Sequence, residues 1–501
     1  MFKKTVALFL AVLLTVSLCA CGGDRKGDRK TNNEIVVGIS QDLGDSLNPY
    51  QMTAAGTKEI MTNVYEGLYK VAPSGDFIPA VAEDCIISED GKVYTFPLRS
   101  GVKFHNGKEL TVQDVLYSFK TCSDITVDSS LPKIFEGLTV ESEGNNIVMK
   151  LSAANNDFLA YVSLVYIIPE GYSDQAATQP VGTGPYKFVS RSVQENIVFE
   201  KFGDYWGNKA SVDKVTCKIY EDASALVAAI NAGAIDVTAH LTPDQIAGLD
   251  EKKYDFLEDT MNLVQALYLN NARKPFDDVR VRQAICYAID VDEILDLTAN
   301  GHGSKLGTSI YPKFTKYFDE DLVDMYPHSV EKAKELLAEA GYPNGFSMSV
   351  TVPSNYTPHV NAGQVIVQQL KAAGIDAELK EVEWNSWLTD VYQGRDFDST
   401  VCGFDASTIT ANALLSRWVS TSGKNMIGFS DPKYDELISK ATAETDDAVR
   451  TQLYKDAARI LAEDAANAYI QDIAEIVAIN KDLSGYVFYP LYRIDFSTIH
   501  Y

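Results

Sequence analysis

The residues that could act chemically are few and scattered. Six histidines stand at positions 105, 240, 302, 328, 359 and 500. No two are four residues apart, so no helix face offers two imidazoles to a metal. His105 lies beside an Asn-Gly turn and His302 between two glycines, and each reads as a structural histidine before a ligand or a general base. Gly101 and Gly107 are spaced too widely for a phosphate loop, and Glu109 stands where that loop needs a hydroxyl. The chain contains no GxSxG, no HExxH and no helix-opening GxGxxG. Without a nucleophile and base paired by spacing, no catalytic residue can be nominated. Cys85, Cys122, Cys217, Cys286 and Cys402 follow neither a zinc spacing nor a disulfide framework, and they read as buried thiols.

Cys21 is the exception. Lys3 and Lys4 precede Thr5 to Leu18, an uncharged stretch with the layout of a secretory signal and too short for the ~18 or more residues of a membrane span. Leu18-Cys19-Ala20-Cys21 resembles a bacterial lipobox, so residues 1–20 are expected to be removed and Cys21 to be acylated, palmitate being one such chain. Several chains, at about 0.8 kcal/mol per buried methylene, anchor a protein stably to a membrane. Residues 22–33 carry no apolar side chain and are expected to form a flexible tether. The protein should therefore work at the extracytoplasmic face of the cell membrane, as a monomer.

The elements that would position a site come next. At 501 residues, 46% hydrophobic and 23% charged, the chain has globular proportions and suggests several compact units. Its net charge of −25 and the lack of a basic run speak against nucleic acid as a partner. Ile35 to Ile39 suits a buried strand. Tyr94, Phe96 and Leu98 alternate with polar positions and Pro97, which predicts an edge strand, and Thr111 with Asp114 opens a helix bearing Val115, Leu116 and Phe119. Val330 to Ala340 and Val365 to Leu370 have helical spacing, Ile375 to Leu379 alternates as a strand, and Val449 to Ile460 is again helical. Helices and strands succeed one another as in an α/β protein.

Four segments resemble the family 5 extracellular solute-binding proteins, the oligopeptide, dipeptide and nickel receptors of ABC importers. They are Asp90 to Arg99 with Gly101 to Gly107 and Asp114-Val115; Gly182-Thr183-Gly184-Pro185-Tyr186; Pro275 to Ala284 with Tyr287 to Asp290; and Ala333 to Leu337 with Ala340-Gly341-Tyr342. The resemblance implies a two-lobed periplasmic-binding-protein-like α/β fold of the class II type, with an extra subdomain inserted in the first lobe. The first lobe would take 34–270 and 472–501, with the insertion at about 56–180, and the second 271–471. The chain would cross between lobes near Leu269 to Asn271 and near Asp472 to Ala478.

Peptide-binding members meet the ligand's free amino group with a carboxylate that follows an aromatic residue in a second-lobe loop. The resemblance maps that loop onto Cys402-Gly403-Phe404-Asp405, with Asp405 as the amine anchor, although Ala406 and Ser407 depart from the Asp-Pro that often follows. Arg417 could fork onto a ligand carboxylate, and Tyr65, Phe404 and Trp418 could pack against a bound peptide. Trp384 and Trp387, three residues apart, read as core. The implied function is capture of a peptide or peptide-like solute and its delivery to an ABC permease complex, with no cofactor and no covalent chemistry. A receptor for a metal chelate or other non-peptide solute is the near alternative, and a lipid-anchored hydrolase the distant one.

Overall fold

The computed structural model describes residues 29–501 except Asp45, Thr53, 126–134 and 406–407. The expected signal peptide, Cys21 and most of the tether lie outside the described residues. Where the sequence predicts the last of the tether, Arg29–Asn32 forms one helical turn and Asn33 donates from Nδ2 to Ser211 O at 2.6 Å. The first strand then runs Glu34–Ile39, pairing in parallel with Lys214–Ile219 and Val237–Thr238. Flanked on both sides, it buries Ile35, Val37 and Ile39, as an apolar run in a parallel pair should.

One mixed sheet of eleven strands carries the molecule. From edge to edge its order is Asp376–Val382, Ser347–Pro353, Ser399–Asp405, Tyr254–Leu269, Asn467–Asn480, Val237–Thr238, Glu34–Ile39, Lys214–Ile219, Asn196–Lys201 and Tyr186–Ser192, with Ser304–Lys305 paired to Asn467–Asn480 off this path. Tyr254–Leu269 and Asn467–Asn480 are its longest strands, and they pair antiparallel along most of their length with a register break between Thr260 and Val264. On one side of that break Tyr254, Ile476 and Ala478 pack with Leu226 and Ile230. On the other side Leu267, Leu269, Ala468 and Ile470 pack with Ile285, Val350 and Ile366. Two continuous strands thus feed separate cores, and the architecture is a two-lobed α/β fold.

A separate four-stranded sheet, in the order Ile86–Ile87, Val93–Pro97, Asn146–Lys150 and Thr139–Glu143, packs under the helix Val112–Ile125. Val93–Pro97 is not the edge strand that its proline predicts. It lies between Ile86–Ile87 and Asn146–Lys150, and Ile86–Ile87 is only two residues long and pairs with Tyr94 and Thr95. Pro97 stands beyond it, where its missing N–H costs no ladder bond.

His105 joins the first two sequence motifs. Its Nε2 lies 2.9 Å from Gly184 O, and its Nδ1 accepts the Gly182 N–H at 3.3 Å. Burial pushes its pKa down to about 4, so the ring is neutral, with the proton on Nε2 and the acceptor at Nδ1. Gly182 and Gly184 in turn press onto Asn63 to Tyr65: a Cβ on Gly182 would stand 2.1 Å from Val64 O, and one on Gly184 2.4 Å from Asn63 O. The third motif is tied down by Arg282, which is buried in the helix Val279–Ala288 and donates to the carbonyls of Phe276, Asp464 and Ala465. Gly184→Ala must move backbone rather than a side chain, and it is expected to lower stability by about 1–3 kcal/mol, read as an earlier urea unfolding midpoint with an unchanged slope.

Candidate functional site

A cavity of about 300 Å³ lies between the lobes. Its walls come from three stretches distant in sequence: Pro49 to Val71, Ser163 to Tyr166 and Tyr489 to Arg493, with Asp405 entering from the other lobe. The helix Ala55–Met61 presents Ala55 and Lys58 to it, while Thr57, Ile60 and Met61 of the same helix are buried. Tyrosines 50, 65, 69, 166, 489 and 492 supply most of the aromatic wall. Such a lining, apolar with a few fixed polar groups, suits a small organic ligand.

Several polar wall residues are held from behind. Glu66 accepts from Tyr205 Oη at 2.8 Å, Trp206 Nε1 at 2.7 Å and Lys70 Nζ at 3.2 Å. Arg493 donates from Nη2 to Asp495 at 2.9 Å and lies 4.4 Å over the Tyr489 ring, whose hydroxyl also donates to Asp495. Although burial opposes its ionisation, Arg493 and the Ser497 donors hold the Asp495 carboxyl below its usual range. Tyr65 Oη donates to Leu47 O at 3.1 Å, which leaves its ring face as its contribution to the wall.

Asp405 is the last residue of the strand Ser399–Asp405, opposite Leu263 at the register break, so the predicted loop is strand up to that point. Asp405 and Tyr65 line the cavity together. Phe404, Arg417 and Trp418 do not line it; they form a cluster of their own in the second lobe. Strand alternation turns Phe404 to the opposite face from Asp405, with its ring 5.1 Å from Tyr268 and the Arg417 guanidinium 3.9 Å above it. Arg417 also donates to Tyr392 Oη at 3.3 Å. Trp418 is 1% exposed, stacks on Tyr268 at 5.6 Å and donates from Nε1 to Ser309 Oγ at 2.9 Å. Trp387 is buried and Trp384, half-buried, stacks on it at 5.2 Å. Sequence reasoning missed Lys58, Tyr50, Tyr166, Tyr489, Tyr492 and Arg493. The one local signal was the terminal run Tyr489-Pro490-Leu491-Tyr492-Arg493, in which aromatic and cationic residues crowd around a proline.

Next to the cavity, against Tyr492, lies a group of charges that is only partly buried. His240 Nε2 is 2.8 Å from Glu59 Oε1, and its Nδ1 is 3.6 Å from Glu475 Oε1, with Tyr492 against the ring at 5.6 Å. Among the described residues this is the cluster with metal-ligand chemistry. The two carboxylates nonetheless face different ring nitrogens, an arrangement that suits an imidazolium donating from Nε2 to Glu59 with Glu475 as a second negative neighbour at Nδ1, because one ion can take only one ring nitrogen. Burial disfavours the charged ring, but the two glutamates outweigh it and raise its pKa to about 9. Burial raises Glu475 to about 7 against the pull of His240. Asp472, wholly buried, is likewise raised to about 7 by burial, partly offset by its bond from the Leu263 N–H.

The lobes meet again away from the crossing strands. Asn156 Nδ2 donates to Glu444 O, and the half-buried Asp157 carboxylate faces Asn412 and Thr410. Burial raises the Asp157 pKa, the two donors opposing it.

A group whose pKa rises on folding adds stability below its unfolded value and loses it as pH passes the folded one. The advantage of the parent protein over His240→Gln is therefore expected to be full below pH 6.5 and to vanish as pH rises through about 9. Urea unfolding midpoints of both proteins across that range check this.

Residues 76–426 match the family model of the bacterial extracellular solute-binding proteins, family 5 middle. The chain is 29% identical to the dipeptide-binding protein of Escherichia coli strain K12, over 93% of this chain and 94% of that protein. It is also 29% identical to heme-binding protein A of Haemophilus influenzae, over 83% of each. Among solved structures, the ABC transporter-associated periplasmic binding protein DppA from Helicobacter pylori, in complex with the peptide STSA, superposes with a TM-score of 0.75 at 27% identity, covering 93% of this chain and 98% of that one. No described helix is long and apolar enough to cross a membrane.

Proposed function

The chain belongs to the bacterial extracellular solute-binding proteins of family 5, a family of receptors and not of enzymes, and from that premise we propose that it captures short peptides or peptide-like solutes and hands them to the permease of an ABC importer. The observation that carries this reading is the cavity shared between lobes, with a carboxylate from one and an aromatic wall from the other. In this reading Asp405 takes the ligand's ammonium group and Tyr65 packs against its backbone or side chains. The dipeptide-binding relative and the peptide held by the Helicobacter protein support peptide over other solutes.

We assign the first lobe to residues 34 to about 262 and 472–501, and the second to the residues between. The packing of Val264 to Leu269 with the second lobe's cores supports this boundary, a few residues before Leu269. A ligand that touches both lobes binds the closed arrangement better than the open one and shifts the equilibrium by that difference in affinity. The permease would read the closed state. In the same proposal Cys21 is acylated and tethers a monomeric receptor to the outer face of the membrane; Cys21→Ala is then expected to move the protein from the membrane fraction to the soluble one.

Native mass spectrometry of protein purified from rich medium is expected to reveal a ladder of co-purified peptide masses, whereas a single non-peptide mass would overturn the peptide reading. Asp405→Asn is expected to weaken peptide binding by about thirty-fold to a few thousand-fold, the ~2–5 kcal/mol that follows from truncating one partner of a buried charge pair. Calorimetric titration measures it, and an unchanged affinity would remove Asp405 from the site.

A further inference from the structure

Five charged side chains line the cavity: Lys58, Glu66, Lys70, Asp405 and Arg493. Three are already paired. Lys70 pairs with Glu66 at 3.2 Å, and Arg493 with Asp495 at 2.9 Å. The other two face the cavity with no side-chain partner among the described residues: Lys58, on the first-lobe helix Ala55–Met61, and Asp405, on the second lobe. The wall thus keeps one unpaired cation and one unpaired anion, and they come from opposite lobes.

A ligand that fills the cavity displaces the water which solvates these two groups, and each then needs an opposite charge. The ligand that answers both carries one ammonium and one anionic group. We propose that Lys58 is the anion subsite of this cavity and receives the terminal carboxylate of a short zwitterionic peptide whose amino end lies at Asp405. The proposal rests on the peptide reading above and adds the polarity of the ligand. The side-chain type suits this role, since an ammonium on a four-carbon stem is a movable point charge that follows a carboxylate through several positions, where an arginine fork demands one geometry. A site built around an ionic partner also discriminates strongly against an analogue that lacks it, because the protein's own charge is left unpaired. Blocking the ligand's carboxylate should therefore cost more than any change of apolar side chain.

Calorimetric titration of the protein with di- and tripeptides of Ala, Leu and Phe, each as the free acid and as the C-terminal amide, tests this. The parent protein is expected to bind amides at least tenfold more weakly than acids. Lys58→Met should weaken the acids by at least tenfold and leave the amides unchanged, so that the preference disappears, and Lys58→Arg should restore most of it. Asp405→Asn, in contrast, should weaken acids and amides alike. Lys58 is exposed on its helix, so these variants are expected to fold, and an unchanged urea midpoint checks that. If the parent binds acids and amides equally, or if Lys58→Met weakens neither or both to the same degree, the anion subsite is overturned while the peptide reading stands. If no peptide of the panel binds, the peptide reading fails and this inference fails with it.

Discussion

A carboxylate with no exposure to solvent holds the two lobes in one sheet. Asp472 sits in the strand Asn467–Asn480 where its neighbour Tyr254–Leu269 slips register, and its Oδ1 accepts the Leu263 N–H at 2.9 Å. The bulge leaves backbone donors that the regular ladder does not satisfy, and Asn262 adopts a left-handed φ of 57° to make the turn. A side-chain acceptor at that point keeps the Leu263 donor paired, while burial raises its own pKa to about 7. Both strands can then run unbroken from one core to the other, and Asp405 stands opposite Leu263 at the same point of the sheet.

The crossing is also where negative charge accumulates. Glu59, Asp405, Asp472 and Glu475 all act on Tyr492, whose hydroxyl is raised above its usual range first by burial and then by these carboxylates. Asp259 lies opposite Glu475 in the register and is paired with Lys313 of the second lobe, while His240 neutralises the pair Glu59 and Glu475 from the first. The backbone that spans the lobes is therefore flanked by ion pairs, one to each lobe. Partly exposed pairs of this kind add little net stability, so they fix which groups face each other more than how tightly the protein folds.

The scaffold was legible in the sequence because its motifs satisfy backbone groups locally or press glycine onto backbone. His105 with Gly182 and Gly184, and Arg282 with the carbonyls at 464 and 465, explain why those residue types stand there. The helix Val330–Glu339 and the C-terminal half of Thr357–Ala372 followed from apolar spacing, while the first eight residues of the latter, before Val365, did not. Pro97 misled because strand order is decided by how long the neighbouring strand is, which no local pattern states. The cavity wall was far less legible. Lys58, Tyr166 and Tyr492 meet only through long-range packing, and an exposed lysine in a cleft looks in sequence like one on any surface. Asp405 was reached through resemblance, not through spacing. Phe404 and Trp418, aromatic and close by in sequence, turn instead into a core where Ser309 takes the indole N–H.

The division of labour within the wall follows from this construction. Where a polar side chain of the first lobe is already paired, as with Glu66, Lys70 and Arg493, it shapes the cavity without holding charge in reserve. The tyrosines add area that is rigid and tolerant of different partners, since a ring face asks only for contact. Asp405 comes to this wall from the opposite lobe, so any group that pairs with it also bears on how the lobes stand to each other. The contact of Asn156 and Asp157 with Glu444, Thr410 and Asn412 spans the lobes independently of the cavity and of the crossing strands. In the proposed open–closed equilibrium two kinds of interaction would act: one built from residues of the chain, which is present with or without ligand, and a conditional one that exists only when the cavity is filled. Only the second can report occupancy to a partner, because an interaction equal in both states of the site shifts nothing between them.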